Sequence, residues 1–529
     1  MKHRFGRMMQ MLALEHGDKE AIVNVERNRR YTYAEFHQLT NRIANALRLT
    51  LKVGKGDTFL LILENDNLSL LQFPTIYKQQ GTAAMTNLRD SIDEHRWQVE
   101  LVKPKVAFIE TKLVDSHARM LAERGCTVVA MDPLSAAQRE AFPEVLYFGE
   151  LVLAASAEES PVELDQREDI VMLRFTGGTT GRGKCAMYTM DSWFACRDSI
   201  FAHPDLGFDA TARLLHVAPL SHGSQIFFYP TLFSGGTNVT MNVLDLEEFR
   251  RIVEVEGITH SFLVPTALYR LLELQRANPR SIASLRTLIY GAAPMSPSRL
   301  ADLVECFGQV FAQAYAATEA PVMISILDKA EHRDDNEQSI KRLSSAGRVT
   351  PSVEVFVTDS EGRPVPTGTT GEIRIRSRAV IPGYFANAEG TAAEFVDGAW
   401  RSGDLGYLDE DGYLYIVDRL KDMIISGGFN VYAVEVEAAL ASHPAVMNSA
   451  VVGIPHVEWG EAVHAEVQLR SGANVTSEEL IAHVKNKIGS YKAPKSISFI
   501  EQLPVSAVGK VLRRRVREKY WQNQSRNVS

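Results

Sequence analysis

Cysteine is scarce. The four present, Cys126, Cys185, Cys196 and Cys306, are scattered through the chain with no CxxC pair. That excludes a disulfide framework and a cysteine zinc site, and it implies the reduced thiols of a cytoplasmic protein. Long apolar runs are also missing, and no stretch approaches the ~20 residues that cross a bilayer. Met8 to Leu14 is only partly apolar, has no small-residue cleavage site and leads into Glu15-His-Gly-Asp18. It reads as a first helix and not as a signal peptide. Nor is there an excess of positive charge: 57 Lys and Arg stand against 65 Asp and Glu, a net charge of −8. This leaves no global basic footprint for nucleic acid or acidic lipid. No internal repeat or low-complexity tract is found. What remains is ordinary soluble globular composition, 45% hydrophobic and 23% charged, spread over 529 residues. That length is too great for one compact core, so two or more domains are expected.

The stretch with the most chemistry is Thr176-Gly-Gly-Thr-Thr-Gly-Arg-Gly-Lys-Cys185, which follows the apolar run Ile170 to Phe175. Glycines let backbone N–H groups turn inward as an anion-binding nest, the threonines add hydroxyl donors, and Lys184 adds charge. A plain turn is the competing reading. Gly178-x4-Gly183-Lys184 also satisfies most of the nucleoside-triphosphatase loop, but that pattern ends in Ser or Thr to hold magnesium. Here Cys185 stands in that place, and its soft sulfur is a poor ligand for a hard ion. The residues after Lys184, Cys185-Ala-Met-Tyr-Thr-Met190, resemble a returning strand more than the start of a helix. A loop between two strands is expected.

Residues 1 to about 165 alternate strand-like and helical segments: Tyr31-Thr-Tyr33, a helix from Ala34 to Leu47, a turn at Gly54-Lys-Gly-Asp57, then strands at Thr58 to Leu63, Val106 to Ile109 and Thr127 to Met131. This is the signature of a layered α/β domain. Ala154 to Gln166 is acidic and reads as a surface connection. The α/β rhythm repeats to about residue 335, with strands at Leu214 to His222 and Leu285 to Pro294 that run into turns. The charged stretch Ala330 to Arg342 reads as a solvated loop or exposed helix. From about residue 344 the texture becomes strands and turns, with a hairpin signal at Asp409-Glu-Asp-Gly412. The last ~110 residues mix short strands and helices, as a small α+β unit does.

The phosphate-loop stretch resembles that of the adenylate-forming superfamily, which comprises acyl-CoA synthetases, luciferases and peptide-synthetase adenylation domains. The usual form is Thr-Ser-Gly-Thr-Thr-Gly-x-Pro-Lys-Gly, and this chain departs from it at Gly177, Gly183 and Cys185. Five further stretches match that family in order: Pro219-Leu-Ser-His222, Gln313-Ala-Tyr-Ala-Ala-Thr-Glu319 (Ala316 where glycine is usual), Trp400-Arg-Ser-Gly-Asp404, Asp418-Arg-Leu-Lys-Asp-Met-Ile-Ile-Ser-Gly-Gly-Phe-Asn430 and Leu503-Pro-Val-Ser-Ala-Val-Gly-Lys510. The likeness runs from about Asp18 to Arg515. It implies an α/β fold in which a large N-terminal domain of layered α/β subdomains and a small β-rich subdomain precedes a small mobile α+β C-terminal domain. The implied boundaries are residues 1–418, a hinge at 419–421 and residues 422–529.

The resemblance also implies roles. Thr176, Gly177, Gly178, Thr179, Thr180, Gly181 and Lys184 would hold the β- and γ-phosphates of ATP. Glu319, with Thr176, would hold Mg2+ as hard oxygen ligands, and Thr318 precedes it in the same motif. Tyr315 would stack on adenine beside Gly291, Ala292 and Ala293. Asp404 would accept from the ribose hydroxyls, with Arg419 near the sugar. Lys510 would bridge the substrate carboxylate and the α-phosphate, neutralising charge where it develops. Lys421 would be the pivot that swings Lys510 away for the thiol-dependent half-reaction and brings Gly427 and Gly428 against the pantetheine tunnel. His222 would sit between the acyl pocket and that tunnel, and a satisfied structural histidine is its competing reading.

The resemblance makes coenzyme A the default acceptor and a carboxylic acid the substrate. Peptide-synthetase adenylation domains carry an aspartate in the acyl-site turn, whereas Pro219 to Phe228 contains no acidic residue, which disfavours an α-amino acid. The expected pocket segments, Gly223 to Tyr229, Phe262 to Pro265, Ile289-Tyr290 and Ala314 to Ile324, suit a fatty acid or an aryl acid such as a phenylpropenoate. Gly177 is also seen among long-chain acyl-CoA synthetases. Delivery to a carrier protein, a luciferase-type oxidation, a non-catalytic nucleotide-binding descendant and a homodimer all stay open at this point.

Overall fold

Two parallel sheets organise the large domain, because their strands are short apolar runs buried on both faces. In the computed structural model, residues 2–176, 183–293, 295–506 and 510–521 are described. The first sheet has seven strands in the order Cys185–Thr189, Ile170–Phe175, Thr82–Met85, Thr58–Ile62, Val106–Ile109, Thr127–Ala130 and Leu146–Tyr147. All pairs are parallel except the first, where the chain returns antiparallel after the phosphate loop. The second sheet has nine strands. Its centre runs Phe311–Tyr315, Thr287–Gly291, His260–Leu263, Arg213–His216 and Thr237–Thr240, in parallel register.

The helix Asn65–Tyr77 is buried on every face and contacts strands of both sheets. Its apolar residues, Leu68, Leu70, Leu71, Phe73 and Ile76, face both layers, and its polar residues are buried with them. Most of its polar groups find partners inside the protein: Asn67 donates to Glu110 at 3.0 Å, and Asp66 accepts from Thr240 at 2.6 Å. Outside the layers, helices start where capping chemistry allows. Tyr33–Asn45 and Ser477–Ile488 each begin with a reciprocal capping box, set by Thr32 with Glu35 and by Thr476 with Glu479.

The antiparallel strands Val353–Thr358, Gly371–Ser377, Ala399–Leu408 and Leu414–Arg419 form the β-rich unit, with the expected hairpin turn at residues 409–412. The small C-terminal domain is built on the long hairpin Val446–His456 and Gly460–Leu469. Helices Ala433–Ala441 and Ser477–Ile488 pack on it around a core of its own. Arg470 of this domain reaches Glu273 of the large one at 2.8 Å. No helix among the described residues is long and apolar enough to cross a membrane.

Two expectations are refined. The acidic stretch after Ala154 does run along the surface, with Ser156, Glu158 and Glu163 exposed, but it is tied down rather than loose. Asn45 donates to the carbonyls of Ser156 and Glu158, Asn41 donates to that of Ala157, Lys78 pairs with Glu159, and Ser160 is buried. Carbonyls that find donors from a neighbouring helix can lie down on it. Within 330–342, Glu337–Leu343 is a helix, but His332 is buried and within 3.0 Å of the Tyr290 hydroxyl.

Candidate active site

The phosphate loop leaves one strand and enters the next at a pinched base. Thr176 donates its N–H to the carbonyl of Lys184 at 2.8 Å, and the Lys184 N–H donates to Thr176 Oγ1 at 3.2 Å. Gly177, Gly178, Thr179, Thr180 and Gly181 lie outside the described residues. Cys185, just beyond, is buried, and burial pushes its thiol up to about 12. It is therefore a packing residue and not a reactive thiol.

A second segment, 381–385, ties the loop strand to Glu319. Met187 N–H donates to the carbonyl of Gly383 at 3.1 Å, Phe385 N–H to that of Cys185 at 2.7 Å, and Ile381 N–H to that of Glu319 at 3.0 Å. The Tyr188 hydroxyl accounts for the carbonyl of Thr318 at 2.6 Å. Between these anchors the Tyr384 hydroxyl lies 2.9 Å from Glu319 Oε1 and also contacts Glu394. One hydroxyl carries one proton and can serve only one of these carboxylates at a time. The Lys184 ammonium pairs with Glu394 and stands 4.7 Å from the centre of the Tyr384 ring. Burial, helped by Glu394, raises the Glu319 carboxyl above the usual glutamate range, while Tyr384 and Lys184 oppose the shift.

The third edge of the cleft is polar. Tyr315, the last residue of its strand, donates its hydroxyl to Asp404 Oδ2 at 2.6 Å, and Arg419 lies 3.3 Å from Asp404 Oδ1. Asp404 and Arg419 face each other in register across the hairpin, which fixes the pair. Gly291 pairs with Ala314 one residue away, and a Cβ on Gly291 would sit 2.3 Å from the Ala314 carbonyl oxygen. Only glycine fits there. Ala292 follows with a φ of +68°, turning the chain sharply, and is exposed beside the half-buried Ala293.

Lys510 enters this cleft from the C-terminal domain on a short turn in which Ser506 and Lys510 exchange hydrogen bonds. Its ammonium is pushed down to about 8 by burial and by the Arg419 charge, with Asp404 and Glu319 pulling the other way. His222 senses Lys510 too. Burial, then the charges of Arg174 and Lys510, hold its imidazole down to about 3, so it is neutral at any working pH. The turn that carries His222 is fixed by buried Asn65, which donates to the carbonyls of Ala218 and Met241 and accepts from the Leu220 N–H. Burial and Arg419 lower the Lys421 ammonium, and its carbonyl accepts from Arg517 at 3.4 Å.

Thr176, Lys184, Glu319, Tyr315, Asp404, Arg419, Lys421, Lys510 and His222 thus converge on one cleft between the domains. Gly427 and Gly428 do not join them. They form the exposed tip of the hairpin Ile424–Ser426 and Phe429–Val431, both with positive φ, next to Phe429, which is 59% exposed.

The two protein-family models that match the chain are an AMP-binding enzyme over residues 10–385 and an AMP-binding enzyme C-terminal domain over residues 435–510. The chain belongs to the AMP-binding enzyme family. It is 40% identical to a medium/long-chain-fatty-acid–CoA ligase, FadD8, of Mycobacterium tuberculosis over 368 residues, 68% of this chain and 63% of that one. It is 33% identical to a feruloyl-CoA synthase of Amycolatopsis sp, over 92% of this chain and 94% of the other. The o-succinylbenzoate CoA synthetase of Bacillus subtilis, solved with its acyl-adenylate, superposes with a TM-score of 0.81 at 26% identity, over 98% of both chains. As a member of this family the chain is an AMP-forming acid–thiol ligase that works with ATP, Mg2+ and coenzyme A.

The residues present suit the metal. Glu319 offers a carboxylate oxygen, with the Glu394 carboxylate close by, and Thr176 is a second hard oxygen. Such a pair is enough for an ion that keeps waters and shares substrate phosphates. Sequence reasoning missed Tyr384, Glu394, Asn65 and Arg174. Arg174 alone left a signal, as the one charge in the strand Ile170–Phe175. Another expected pocket residue, Tyr290, is absent from the cleft: it is fully buried on the opposite face of its strand, with its hydroxyl on Gln313 and His332.

Proposed function

We propose that the chain activates a carboxylic acid with an apolar body, a fatty acid or an aryl acid of the phenylpropenoate type, and passes the acyl group to coenzyme A. The carrying observation is that Lys510, from the far end of the chain, shares a cleft with Glu319, Asp404 and His222. Two anions must meet for adenylation, the acid carboxylate and the α-phosphate, and Lys510 supplies the charge that lets them. Lys184 would take the outer phosphates, leaving Glu394 for them. Magnesium, held by Glu319 and Thr176, would neutralise the leaving pyrophosphate. Asp404 and Arg419 would fix the ribose, Tyr315 would lie under the adenine, and Gly291, Ala292 and Ala293 would give it a flat backbone to rest on.

Residues 1–418 would then act as the adenylation domain and 422–529 as the moving one. Rotation at Lys421 would withdraw Lys510 and present Gly427 and Gly428 to the cleft, where only glycine lets a thiol arm pass so close to backbone. A neutral His222 suits a positioning role beside the reacting carboxylate.

The test is pyrophosphate release across C4–C18 fatty acids, cinnamate-type acids and amino acids, with and without coenzyme A, for the native chain and Lys510→Ala. Release with fatty or aryl acids, thioester formation, and loss of both in the variant are expected. Release only with amino acids, or release unchanged in Lys510→Ala, would overturn the reading.

A further inference from the structure

Arg174 has no part in the chemistry above. On the strand Ile170–Phe175, Leu173 and Phe175 point to the outer core with Cys185, while Met172 lies in the core between the sheets. Arg174 shares the face of Met172, because strand side chains alternate, and it is 3% exposed. Three arginines are buried among the described residues. Arg250 reaches Glu247 and two carbonyl oxygens, and Arg299 reaches Glu273. Arg174 reaches an amide oxygen, Oε1 of Gln225, and the Tyr188 side chain, and no carboxylate among the described residues pairs with it. Its guanidinium stands 5.3 Å and 5.9 Å from the ring centres of Tyr188 and Trp193. Ring faces offset part of the cost of a buried cation, but they do not neutralise it.

The network continues inward and stays rich in donors. Gln225 Nε2 donates to Gln72 Oε1, and the single Tyr229 hydroxyl proton has the Gln72 backbone carbonyl at 3.2 Å and Gln72 Oε1 at 3.3 Å as acceptors. Two buried N–H groups are left over, on Arg174 Nε and Gln72 Nε2. Gln225 begins the helix that starts three residues after His222, so this donor-rich cluster is continuous with the acyl-site turn. A buried cation with spare donors lacks an anion with several lone pairs, which is what a carboxylate is.

We propose that Arg174, with Gln72, anchors a second carboxylate on the acid, so that the substrate class is a dicarboxylic acid with an apolar spacer. This rests on the cleft being the acid-activating site. One carboxylate reacts beside Lys510, and the other docks at the buried guanidinium beyond His222. Arg174 sets which acid is accepted and takes no part in the bond exchange.

The test compares chain-matched pairs: hexanoate with hexanedioate, decanoate with decanedioate, and cinnamate with 4-carboxycinnamate. The readout is kcat/KM for pyrophosphate release. The native chain is expected to favour the diacid of at least one pair by roughly 10- to 100-fold, the worth of hydrogen bonds to a charged group. Arg174→Met should collapse that ratio through KM, and Arg174→Lys should restore part of it. Gln72→Leu, which leaves the charge in place, should lower it less. A native preference for the monoacid in every pair overturns the proposal without any variant, and so does a ratio unchanged in Arg174→Met. Either result leaves acid activation standing, since pyrophosphate is still released. Silence with every acid defeats both readings.

Discussion

At the scale of single residues, the cleft is a balance between cations, among them the ammonium groups of Lys184, Lys421 and Lys510, and three carboxylates. Lys184 and Lys510 approach it from different domains, and Glu319, Glu394 and Asp404 face them. The balance has a pH signature. Under the proposed function Lys510 must be charged to draw two anions together, and burial beside Arg419 brings its ammonium down to about 8 from a usual 10.5. The cation is therefore present below about pH 8 and is lost as the pH rises through that value. kcat/KM for pyrophosphate release, which reports the free enzyme, should fall along an alkaline limb near pH 8. Lys510→Arg keeps its charge far above that range, so any residual activity should lose the limb. A flat profile to pH 9.5, or the same limb in Lys510→Arg, would detach Lys510 from the reaction. The Glu319 carboxyl, raised by burial, should move the acid limb upward from that of an ordinary glutamate, because a protonated Glu319 cannot hold magnesium.

At the scale of elements, the site depends on how closely the strands Thr287–Gly291 and Phe311–Tyr315 can approach. Gly291→Ala would press a methyl group against the Ala314 carbonyl oxygen, 2.3 Å away. The second strand ends at Tyr315, whose hydroxyl holds Asp404. The variant should lose about 1–3 kcal/mol of stability by overpacking and raise KM for ATP, as read by thermal unfolding and steady-state kinetics. An unchanged Tm and KM would show that the pair has slack. Much of this element structure was legible in the sequence: the returning strand after Lys184, the alternating strands and helices, and the hairpin at residues 409–412 all come from apolar runs broken by turn residues. Tyr290 was not, although strand geometry warned of it. Ile289 and Tyr290 are successive residues of one strand and must face opposite cores, and so they do. Glu394 and Asn65 were out of reach for a different reason. Glu394 meets Lys184 across 210 positions of chain, and Asn65 meets the His222 turn across more than 150. Nothing local marks either contact.

At the scale of the whole molecule, under the proposed function the orientation of the small domain would decide which half of the chemistry the cleft performs. Besides the Lys510 turn, it meets the large domain at a charged contact. Arg470 reaches Glu273 at 2.8 Å, and the same carboxylate oxygen lies 3.2 Å from buried Arg299. Glu273 sits on the helix Pro265–Ala277, whose N-terminal end follows the half-buried Phe262. One carboxylate thus bridges two guanidinium groups that otherwise repel, and Arg470 is lowered by burial and by the Arg299 charge. Removing the carboxylate leaves like charges facing each other, so Glu273→Gln should disfavour this orientation by more than the loss of one attraction. The contact is partly exposed and screened by salt, which limits the effect to about 1 kcal/mol, or roughly fivefold in the balance of orientations. The adenylation half-reaction, followed by pyrophosphate exchange, should slow by about that factor. Thioester formation from preformed acyl-adenylate and coenzyme A should not slow, because it calls for the other orientation. Added salt should shrink the difference between native chain and variant. If both half-reactions slow together, Glu273 only stabilises the fold. If neither changes, other contacts hold the domains in place, among them Asp418 with the Ala433 N–H and Arg513.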